Sequence, residues 1–360
     1  MKVKQLASIK NIQLENTAAK KRTIWLTVLF VLVAVLGLSY VKWWPYYQKT
    51  ILAATTHSIG TSILADQASN TFSWGGVYSY ALTYFTAVWK AAVLGIVLGS
   101  LLQVLLPSKW LLKVLGKTTF GSTAAAGIAS MPGMMCTCCA APMAVGLRKK
   151  KASVGASLAF WLGNPAINPA TLVFMAFVLS WKFTLIRLAA GLILTFGVSY
   201  LANKLVKNTD KVDVEELVET EEEADNRPFM IRWLKSLGTM VLYVVPAYVL
   251  SVLLLGAARF WLFPNMSGAM ADSLIIIILF AIAGMLFVIP TAAEIPIIQT
   301  FLAMGLGAGP AAALLITLPS VSLPSLLMVA KSFPARVLMF VVGSVVVLGI
   351  LSGFVGWLWL

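Results

Sequence analysis

The chain has 360 residues, of which 60% are hydrophobic and only 11% are charged, and its formal net charge is +14. A soluble protein carries about 25% charged residues, so this composition excludes the ordinary soluble classes. The basic residues stand in short clusters between apolar runs, for example at 20–22 and 148–151. This distribution is typical of cytoplasmic loops in an inner-membrane protein, whereas a nucleic-acid-binding protein presents a continuous basic face.

Apolar runs of eighteen or more residues recur along the chain, and such runs can cross a hydrocarbon core of about 30 Å. Alternating ten-residue strands are absent, so we expect helices rather than a barrel to satisfy the backbone in lipid. The sequence therefore predicts an all-α polytopic protein of the bacterial inner membrane, surrounded by the lipid bilayer, with about 8–10 membrane segments.

The first predicted element is an uncleaved membrane helix at 24–41 with a cytoplasmic N-terminus. A basic cluster precedes it, its apolar run is too long for a signal-peptide core, and aromatic residues follow at 43–47. Residues 42–75, which contain the only histidine, His57, are expected to form an outer loop. We therefore take 1–75 as an N-terminal helix and outer loop, and interpret His57 as incidental to function.

Residues 76–206 are predicted to form a first repeat. The stretch 119–147 begins and ends beside basic clusters, so we expect it to enter and leave the membrane on one side as a re-entrant or broken hairpin. Helices are expected around this hairpin, at 77–106, 153–180 and 184–203. The following stretch, 207–228, contains most of the acidic residues of the chain and is interpreted as a solvated cytoplasmic linker.

Residues 229–360 are predicted to form a second repeat of opposite orientation. Its expected elements are helices at 230–257, 310–329 and 337–358 and a hairpin at 270–305. Residues of the first half recur 154 positions later, namely Thr137, Pro142, Gly155, Ala159 and Pro165 as Thr291, Pro296, Gly309, Ala313 and Pro319. The shared spacing and the matching order of apolar segments predict two inverted-topology repeats, an architecture found in secondary transporters.

Proline and glycine interrupt corresponding apolar segments of both halves. Broken helices leave free N–H and C=O groups, which are tolerated in a membrane only where they line a cavity or bind a solute. We therefore expect these breaks to gate a site between the two halves. The break residues are Pro132, Gly133, Pro142, Pro165 and Pro169 in the first half, and Pro290, Pro296, Pro319 and Pro324 in the second.

The first break contains all three cysteines of the chain, Cys136, Cys138 and Cys139, and three methionines lie within the same nine residues. Such a soft-ligand surface favours Cu(I), other thiophilic metals or trivalent arsenic over hard cations. The alternative is that buried cysteine and methionine act only as small or adaptable hydrophobic residues. We interpret the three cysteines, with Thr137, as candidate substrate-binding residues.

The second break contains Glu294, the only acid deep within an apolar segment. An ionisable group inside a membrane is costly, so it is by default a functional candidate. We expect Glu294 to carry a coupling proton or to set the charge of the site. The alternative is a protonated glutamate that hydrogen-bonds the opened backbone. The 154-residue offset pairs Glu294 with Ala140, which predicts that thiols and carboxylate lie close together near the membrane midplane.

Other polar residues in apolar segments are weaker candidates. Asn164 and Asn168 bring two amides to a helix break, where they could bind substrate or cap freed backbone groups. The matching break of the other half has the same ambiguity at Thr317, Ser320, Ser322 and Ser325. Lys90 lies in the middle of a predicted helix and is interpreted as structural.

The motifs resemble those of a known family. Cys136-Thr137-Cys138 with Pro142 and Gly146, followed by Gly155-Ala156-Ser157 and Asn168-Pro169, resembles the first half of the predicted permease family that includes the organoarsenical efflux permeases. Glu294-Ile295-Pro296-Ile297-Ile298, Gly305 to Gly309 and Ser322-Leu323-Pro324 are similar to its second half. The resemblance implies a permease that uses cysteines to carry trivalent methylated arsenicals out of the cell. By position, Cys136 and Cys138 match the paired family cysteines, and Cys139 is an addition.

The sequence thus predicts a secondary permease for a small thiophilic solute, with efflux of a trivalent organoarsenical as the specific candidate. We expect no catalytic residue, cofactor, resident metal or nucleic-acid partner, and no G-x-x-x-x-G-K-[ST] motif for ATP hydrolysis is present. Cys136-x-x-Cys139 leaves open a membrane thiol–disulfide oxidoreductase, although the chain has no second cysteine pair. A membrane subunit that serves a partner, or a homo-oligomer, also remains open.

Overall fold

The computed structural model describes residues 24–60, 62, 73–106, 108–206, 228–262 and 273–360. Across these ranges the regular elements are helices and no strand occurs. Six helical stretches are long and apolar enough to cross a membrane: Ile24–Thr56, Trp74–Leu105, Trp181–Leu205, Phe229–Leu254, Ala308–Val329 and Ala335–Trp359. The predicted fold class, an all-α polytopic membrane protein, is confirmed. Residues 207–227 of the predicted acidic linker lie outside the described residues.

Helix α1 (Ile24–Thr56) is longer than the sequence indicated, and the prediction of a loop from residue 42 onward is wrong for residues 42–56. A π-helical turn at Ser39–Trp43 ends two residues before Pro45. A proline inside a helix removes a backbone donor and crowds the preceding turn, and a wider π turn is one way to accommodate it. The helix therefore continues past the proline and ends at Thr56, followed by the C-cap His57 with a φ of 51°.

The remaining helices follow the predicted order of the two halves. The first half contains α2 (Trp74–Leu105), α3 (Ser108–Leu115), α4 (Phe120–Ser130), α5 (Thr137–Lys149), α6 (Val154–Ala166), α7 (Pro169–Val178) and α8 (Trp181–Leu205). The second contains α9 (Phe229–Leu262), α10 (Leu274–Leu286), α11 (Glu294–Ala303), α12 (Ala308–Ser320), α13 (Leu323–Val329) and α14 (Ala335–Trp359). Each predicted hairpin is a pair of helices separated by a break, α4/α5 in one half and α10/α11 in the other.

Four helices of the second half begin 154 residues after their counterparts in the first half. The pairs are α4 and α10, α6 and α12, α7 and α13, and α8 and α14. Their caps also correspond, since Thr119 and Ser273 accept from the backbone at the start of α4 and α10. The order and spacing of the helices are those expected of an internal repeat. The opposite orientation of the two halves in the membrane stays a prediction.

Small residues let the helices around the first break approach closely. Gly95 and Gly99 of α2 lie against the backbone of Cys139 and Pro142 in α5, where a Cβ on either glycine would clash. Spacing small residues four apart is a common way to bring two membrane helices into contact. Because α5 carries the cysteines, the Gly95–Gly99 pair fixes the position of the thiols against α2.

We expect Gly95→Ala to lower the stability of the folded protein by about 1–3 kcal/mol, because the new methyl group meets a carbonyl of the backbone and not a movable side chain. The matched control is Gly343→Ala in α14, where a Cβ meets nothing within 4 Å. That change should be neutral or slightly stabilising. Thermal unfolding in detergent measures both, and equal melting temperatures for the two variants would contradict the prediction.

Candidate functional site

Both hairpins break at a residue with left-handed backbone geometry. Met134 follows the turn at Met131–Gly133 with a φ of 47°, and Ala292, two residues after Pro290, has a φ of 69°. Non-glycine residues adopt this conformation only when their surroundings enforce it, and such residues cluster at ligand sites. The two breaks are therefore built features of the fold, and both lie where the sequence predicted them.

The two breaks meet at a buried cavity of about 10 Å³, hereafter the central cavity. This is roughly the room that one water molecule requires. The first half lines it with Cys136, Thr137, Pro165 and Thr171, and the second half with Ile289, Pro290, Thr291, Ala292, Glu294, Leu318, Pro319 and Ser322. The fold thus brings thiol and carboxylate of opposite halves to one cavity, although no solute larger than water fits it in this conformation.

The three cysteines lie at the N-terminus of α5 and are buried and free. Cys136 precedes the first turn, and its Sγ lies 2.9 Å from the Sγ of Cys139. The Sγ of Cys138 lies 3.3 Å from the Oγ of Ser322, at the start of α13 in the other half. Helix N-termini present free N–H groups that favour negative charge. The thiol cluster therefore has contacts from both halves and an environment suited to anions.

Arg187 of α8 forms an ion pair with Glu294, with 3.2 Å between its Nη2 and the Oε1 of the carboxylate. Both side chains are about 2% exposed. The sequence interpretation missed Arg187, although a lone arginine between apolar residues of a predicted membrane helix is the same signal that identified Glu294. The expectation that the glutamate is buried holds, and its partner is a cation from the first half.

The guanidinium of Arg187 also satisfies carbonyls that two prolines leave without a donor. In a regular helix the carbonyl of Pro165 would accept from residue 169, and that of Leu315 from residue 319, but both positions are proline. Arg187 donates to these two carbonyls at 2.7 Å and 2.6 Å. One side chain thus ties the break of α6/α7 to helix α12 and to Glu294, which joins the two halves at the site.

The second carboxylate oxygen of Glu294, Oε2, is buried and has no hydrogen-bond partner among the described residues. Glu294 is the first residue of α11 and lines the central cavity. A buried unsatisfied acceptor is rare and indicates a place for a water molecule, a proton or a bound group. The free oxygen can therefore take a proton or a donor from a solute without breaking the pair with Arg187.

Helix α1 reaches both breaks, a contact that the sequence interpretation missed because it placed this segment in an outer loop. The Nζ of Lys42 donates to the Oγ1 of Thr291 and to the hydroxyl of Tyr46, both at 3.1 Å. The Nε1 of Trp43 donates to the carbonyl of Pro132 at 2.8 Å. Lys42 is only 5% exposed. The N-terminal helix is therefore part of the site.

Two buried tyrosines bring helices α2 and α9 to the thiol cluster. The hydroxyl of Tyr248 donates to that of Tyr84 at 2.9 Å, and the Tyr84 hydroxyl lies beside Cys138. Both residues stand in long apolar helices, where tyrosine is usually read as an interfacial anchor. No sequence signal distinguished them, because their pairing joins residues 164 positions apart.

The two predicted amides lie near the first break but do not line the central cavity. Asn164 accepts from the N–H of Met135 and donates to the carbonyl of Phe160. Asn168 accepts from the N–H groups of Ala170 and Thr171 at the start of α7. These contacts match the backbone-capping alternative, and a role in binding substrate stays a prediction.

The weaker candidates differ in their surroundings: the serine and threonine side chains form buried hydrogen bonds, whereas Lys90 and His57 are exposed. Ser325 forms a capping box with Ser322 at the start of α13, and Thr317 bonds the carbonyl of Ala313. Lys90 is exposed and lies over the ring of Tyr40, and His57 is exposed with its ring nitrogen 2.8 Å from the carbonyl of Phe177. Neither Lys90 nor His57 lines the central cavity.

Comparisons with known proteins find a matching family and two similar relatives. The family model described as "Predicted permease" matches residues 122–356. The UPF0718 protein YraQ of Escherichia coli (strain K12) is 51% identical over 341 residues, which are 95% of this chain and 97% of that protein. The UPF0718 protein MJ0584 of Methanocaldococcus jannaschii is 20% identical over 284 residues, which are 61% of this chain and 78% of that protein. No solved structure shows a significant match.

The matched region extends from α4 into α14 and so contains both hairpins, the thiol cluster and the ion pair between Arg187 and Glu294. It covers more than half of the chain, and the relative from Escherichia coli extends the similarity through α1. These matches agree with the family resemblance that the cysteine motif and the segment beginning at Glu294 indicate. The chain belongs to the predicted permease family.

Proposed function

We propose that the protein is a secondary permease that moves a small thiophilic solute through the central cavity, with efflux of a trivalent organoarsenical as the specific candidate. The observation that carries the proposal is the meeting of two helix breaks, one from each half, at a buried cavity lined by Cys136 and Glu294. Membership of the permease family favours a transporter over an enzyme. We place it in the bacterial inner membrane with the N-terminus in the cytoplasm.

The donor set of the cavity fits such a solute. Thiol sulfur binds soft centres such as trivalent arsenic more strongly than hard cations. Cys136 lines the cavity, and Cys138 and Cys139 lie within one helical turn of it on α5. Within the described ranges no three Cys, His, Asp or Glu side chains are placed to hold a metal ion. The sulfurs of Cys136 and Cys139 lie 2.9 Å apart, so a transported soft centre can bind transiently through one or two sulfurs.

The proline breaks provide the gates. The central cavity has room for only about one water molecule in this conformation, so transport requires one half to move against the other, which opens it to each side in turn. The residues expected to flex are the break prolines, above all Pro290 and Pro319, which line the cavity. Since α11 and α13 begin at these breaks, their tilting would open the cavity.

Transport by the purified protein tests the proposal. Proteoliposomes are loaded with buffer and supplied with trivalent methyl- or phenylarsenicals, arsenite or thiosulfate, and uptake is followed with and without a proton gradient. We expect accumulation of at least one thiophilic solute above that in protein-free liposomes, with an organoarsenical moved fastest. If none of these solutes is transported, under any gradient, the proposed function is wrong.

A membrane thiol–disulfide oxidoreductase is the second candidate, because the sulfurs of Cys136 and Cys139 are 2.9 Å apart. Such an enzyme cycles between dithiol and disulfide and needs an electron acceptor. The two functions are separated by counting thiols with a denaturing thiol assay before and after turnover. A transporter keeps three free thiols, whereas an oxidoreductase loses two of them when it is supplied with a quinone.

Glu294→Gln is expected to keep solute binding and to abolish the stimulation of transport by an imposed pH gradient. Glutamine preserves the shape of the side chain and resembles the protonated acid, but it cannot release a proton. Its amide can still occupy the position beside Arg187. Initial rates in proteoliposomes with and without the gradient measure the effect. A variant that responds to the gradient as the original protein does would show that Glu294 is only structural.

A further inference from the structure

We infer that the solute occupies the site as an anion and that Lys42 recognises its charge, an inference that rests on the proposed function. Lys42 belongs to α1, outside the region that the family model matches. It is nevertheless buried against the second break, through its hydrogen bond to Thr291. Two observations support the inference. One is the charge of the buried side chains, and the other is the set of groups that surround the ammonium of Lys42.

Among the buried Lys, Arg, Asp and Glu side chains of the described residues, positive charges outnumber negative charges by one. Three charged side chains are buried, Lys42, Arg187 and Glu294. Arg187 and Glu294 neutralise each other through their ion pair. Lys42 remains as an excess of one positive charge in a region where charge is costly unless it is compensated. An anionic solute in the central cavity would provide the missing negative charge.

The ammonium group of Lys42 is placed to reach such a solute. It has three N–H donors, of which the described structure uses two, for the hydroxyl of Tyr46 and the Oγ1 of Thr291. Thr291 lines the central cavity together with Cys136. Cys136 and Cys139 lie close enough to Lys42 to interact with it electrostatically. A solute whose soft atom contacts a thiol would therefore lie beside the cation.

A second cavity, of about 450 Å³, is also lined by basic side chains and would therefore also favour anions. It lies between α5, α9 and α13 and is lined by Arg148, Lys149 and Lys331, with no acid among its described lining residues. Cys138 in the first turn of α5 and Ser322, the N-cap of α13, contact each other. The cavity reaches Pro142 of α5, about one helical turn or about 6 Å along the helix from Cys138. A basic vestibule at this distance would concentrate anions near the site.

The class of solute that fits both observations is a small anion with a thiophilic centre, such as a thiolated or acidic trivalent arsenical or a sulfur oxyanion. A different use of Lys42 is also consistent with its position, namely as the counter-ion of a thiolate in the cysteine cluster. The two readings differ in one measurable respect. An anion-recognising lysine discriminates between reagents by their charge, whereas a lysine neutralised by a thiolate raises the thiolate fraction and so speeds reaction with reagents of all three charges.

The test uses methanethiosulfonate reagents of three charges on the full-length protein in proteoliposomes. Sulfonatoethyl, methyl and trimethylammonioethyl reagents transfer similar groups to a thiol but are anionic, neutral and cationic. All three cysteines of the chain lie in one segment, so the mass of that peptide reports their modification. Each rate is divided by the rate of the same reagent with a small free thiol. The ratio of the anionic to the cationic rate is the result.

We expect the anionic reagent to be favoured by at least about tenfold, since even a partly screened charge contact is worth that much. Lys42→Met should reduce the ratio by about the same factor, and Lys42→Arg should largely preserve it. Lys49→Met, which removes an exposed lysine of the same helix, should leave the ratio unchanged. Elution of each variant as a single species in detergent shows that it is folded.

The results that would contradict this inference can be told apart. A ratio that Lys42→Met does not change overturns the inference, and equal slowing of all three reagents assigns Lys42 to a thiolate instead. In either case the thiols are accessible and the proposed function stands. If no reagent of any charge modifies the cysteines of the original protein, the thiols are not on a transport path. The proposed function then fails, and this inference fails with it.

Discussion

Arg187→Met is expected to destabilise the folded protein by about 3–5 kcal/mol, the usual effect of removing one partner of a buried ion pair. The substitution leaves the carboxylate of Glu294 buried without a counter-charge. It also removes the donors that Arg187 provides to the carbonyls of Pro165 and Leu315. Thermal or denaturant unfolding in detergent, compared with the original protein, measures the loss.

The double variant Arg187→Met/Glu294→Met separates the charge effect from the loss of these hydrogen bonds. Removing both charges eliminates the unpaired carboxylate, so the double variant should be more stable than Arg187→Met alone. Arg187→Lys keeps the charge but has fewer donors and no planar fork, so its stability should be intermediate. Additive losses in the double variant would show that Arg187 and Glu294 do not act as a pair.

The breaks and hairpins were predictable because their causes are local in sequence. A proline lacks an amide donor wherever it stands, and Pro132 and Pro290 interrupt apolar segments that would otherwise continue. The 154-residue offset was visible for the same reason, since repeated break residues keep repeated spacing. The position of Glu294 beside the cysteine cluster then followed from pairing the two breaks.

The partners of these residues were not predictable in the same way. Arg187 and Glu294 are 107 positions apart, and Lys42 and Thr291 are 249 apart, so only the packing of distant helices reveals either contact. For Arg187 a signal existed, because a lone arginine in an apolar helix needs a partner. Lys42 was hidden by the aromatic residues after it, which are typical of a membrane interface but here lie within a continuing helix.

The double variant Cys136→Ser/Cys138→Ser is expected to reduce solute transport to the level of protein-free liposomes. Serine is close to cysteine in shape, so the buried contacts of Cys138 with Ser322 can be retained. A hydroxyl oxygen is a hard ligand, however, and does not replace thiol sulfur for a soft centre. The expected result is a protein that inserts and melts normally but neither binds nor transports a thiophilic solute.

The single variants and a sulfur control sharpen this prediction. Cys136 lines the central cavity and Cys138 does not, so Cys136→Ser should cause the larger loss of transport. Met143→Leu removes a sulfur from the same helix, away from the central cavity, and as a volume-conserving change it should have little effect on folding or transport. Initial rates in proteoliposomes with matched amounts of protein provide the measurement. Full transport by a variant in which all three cysteines are serine would show that the thiols only fill space. The substrate would then bind around Glu294 and Arg187 without a contribution from the thiols.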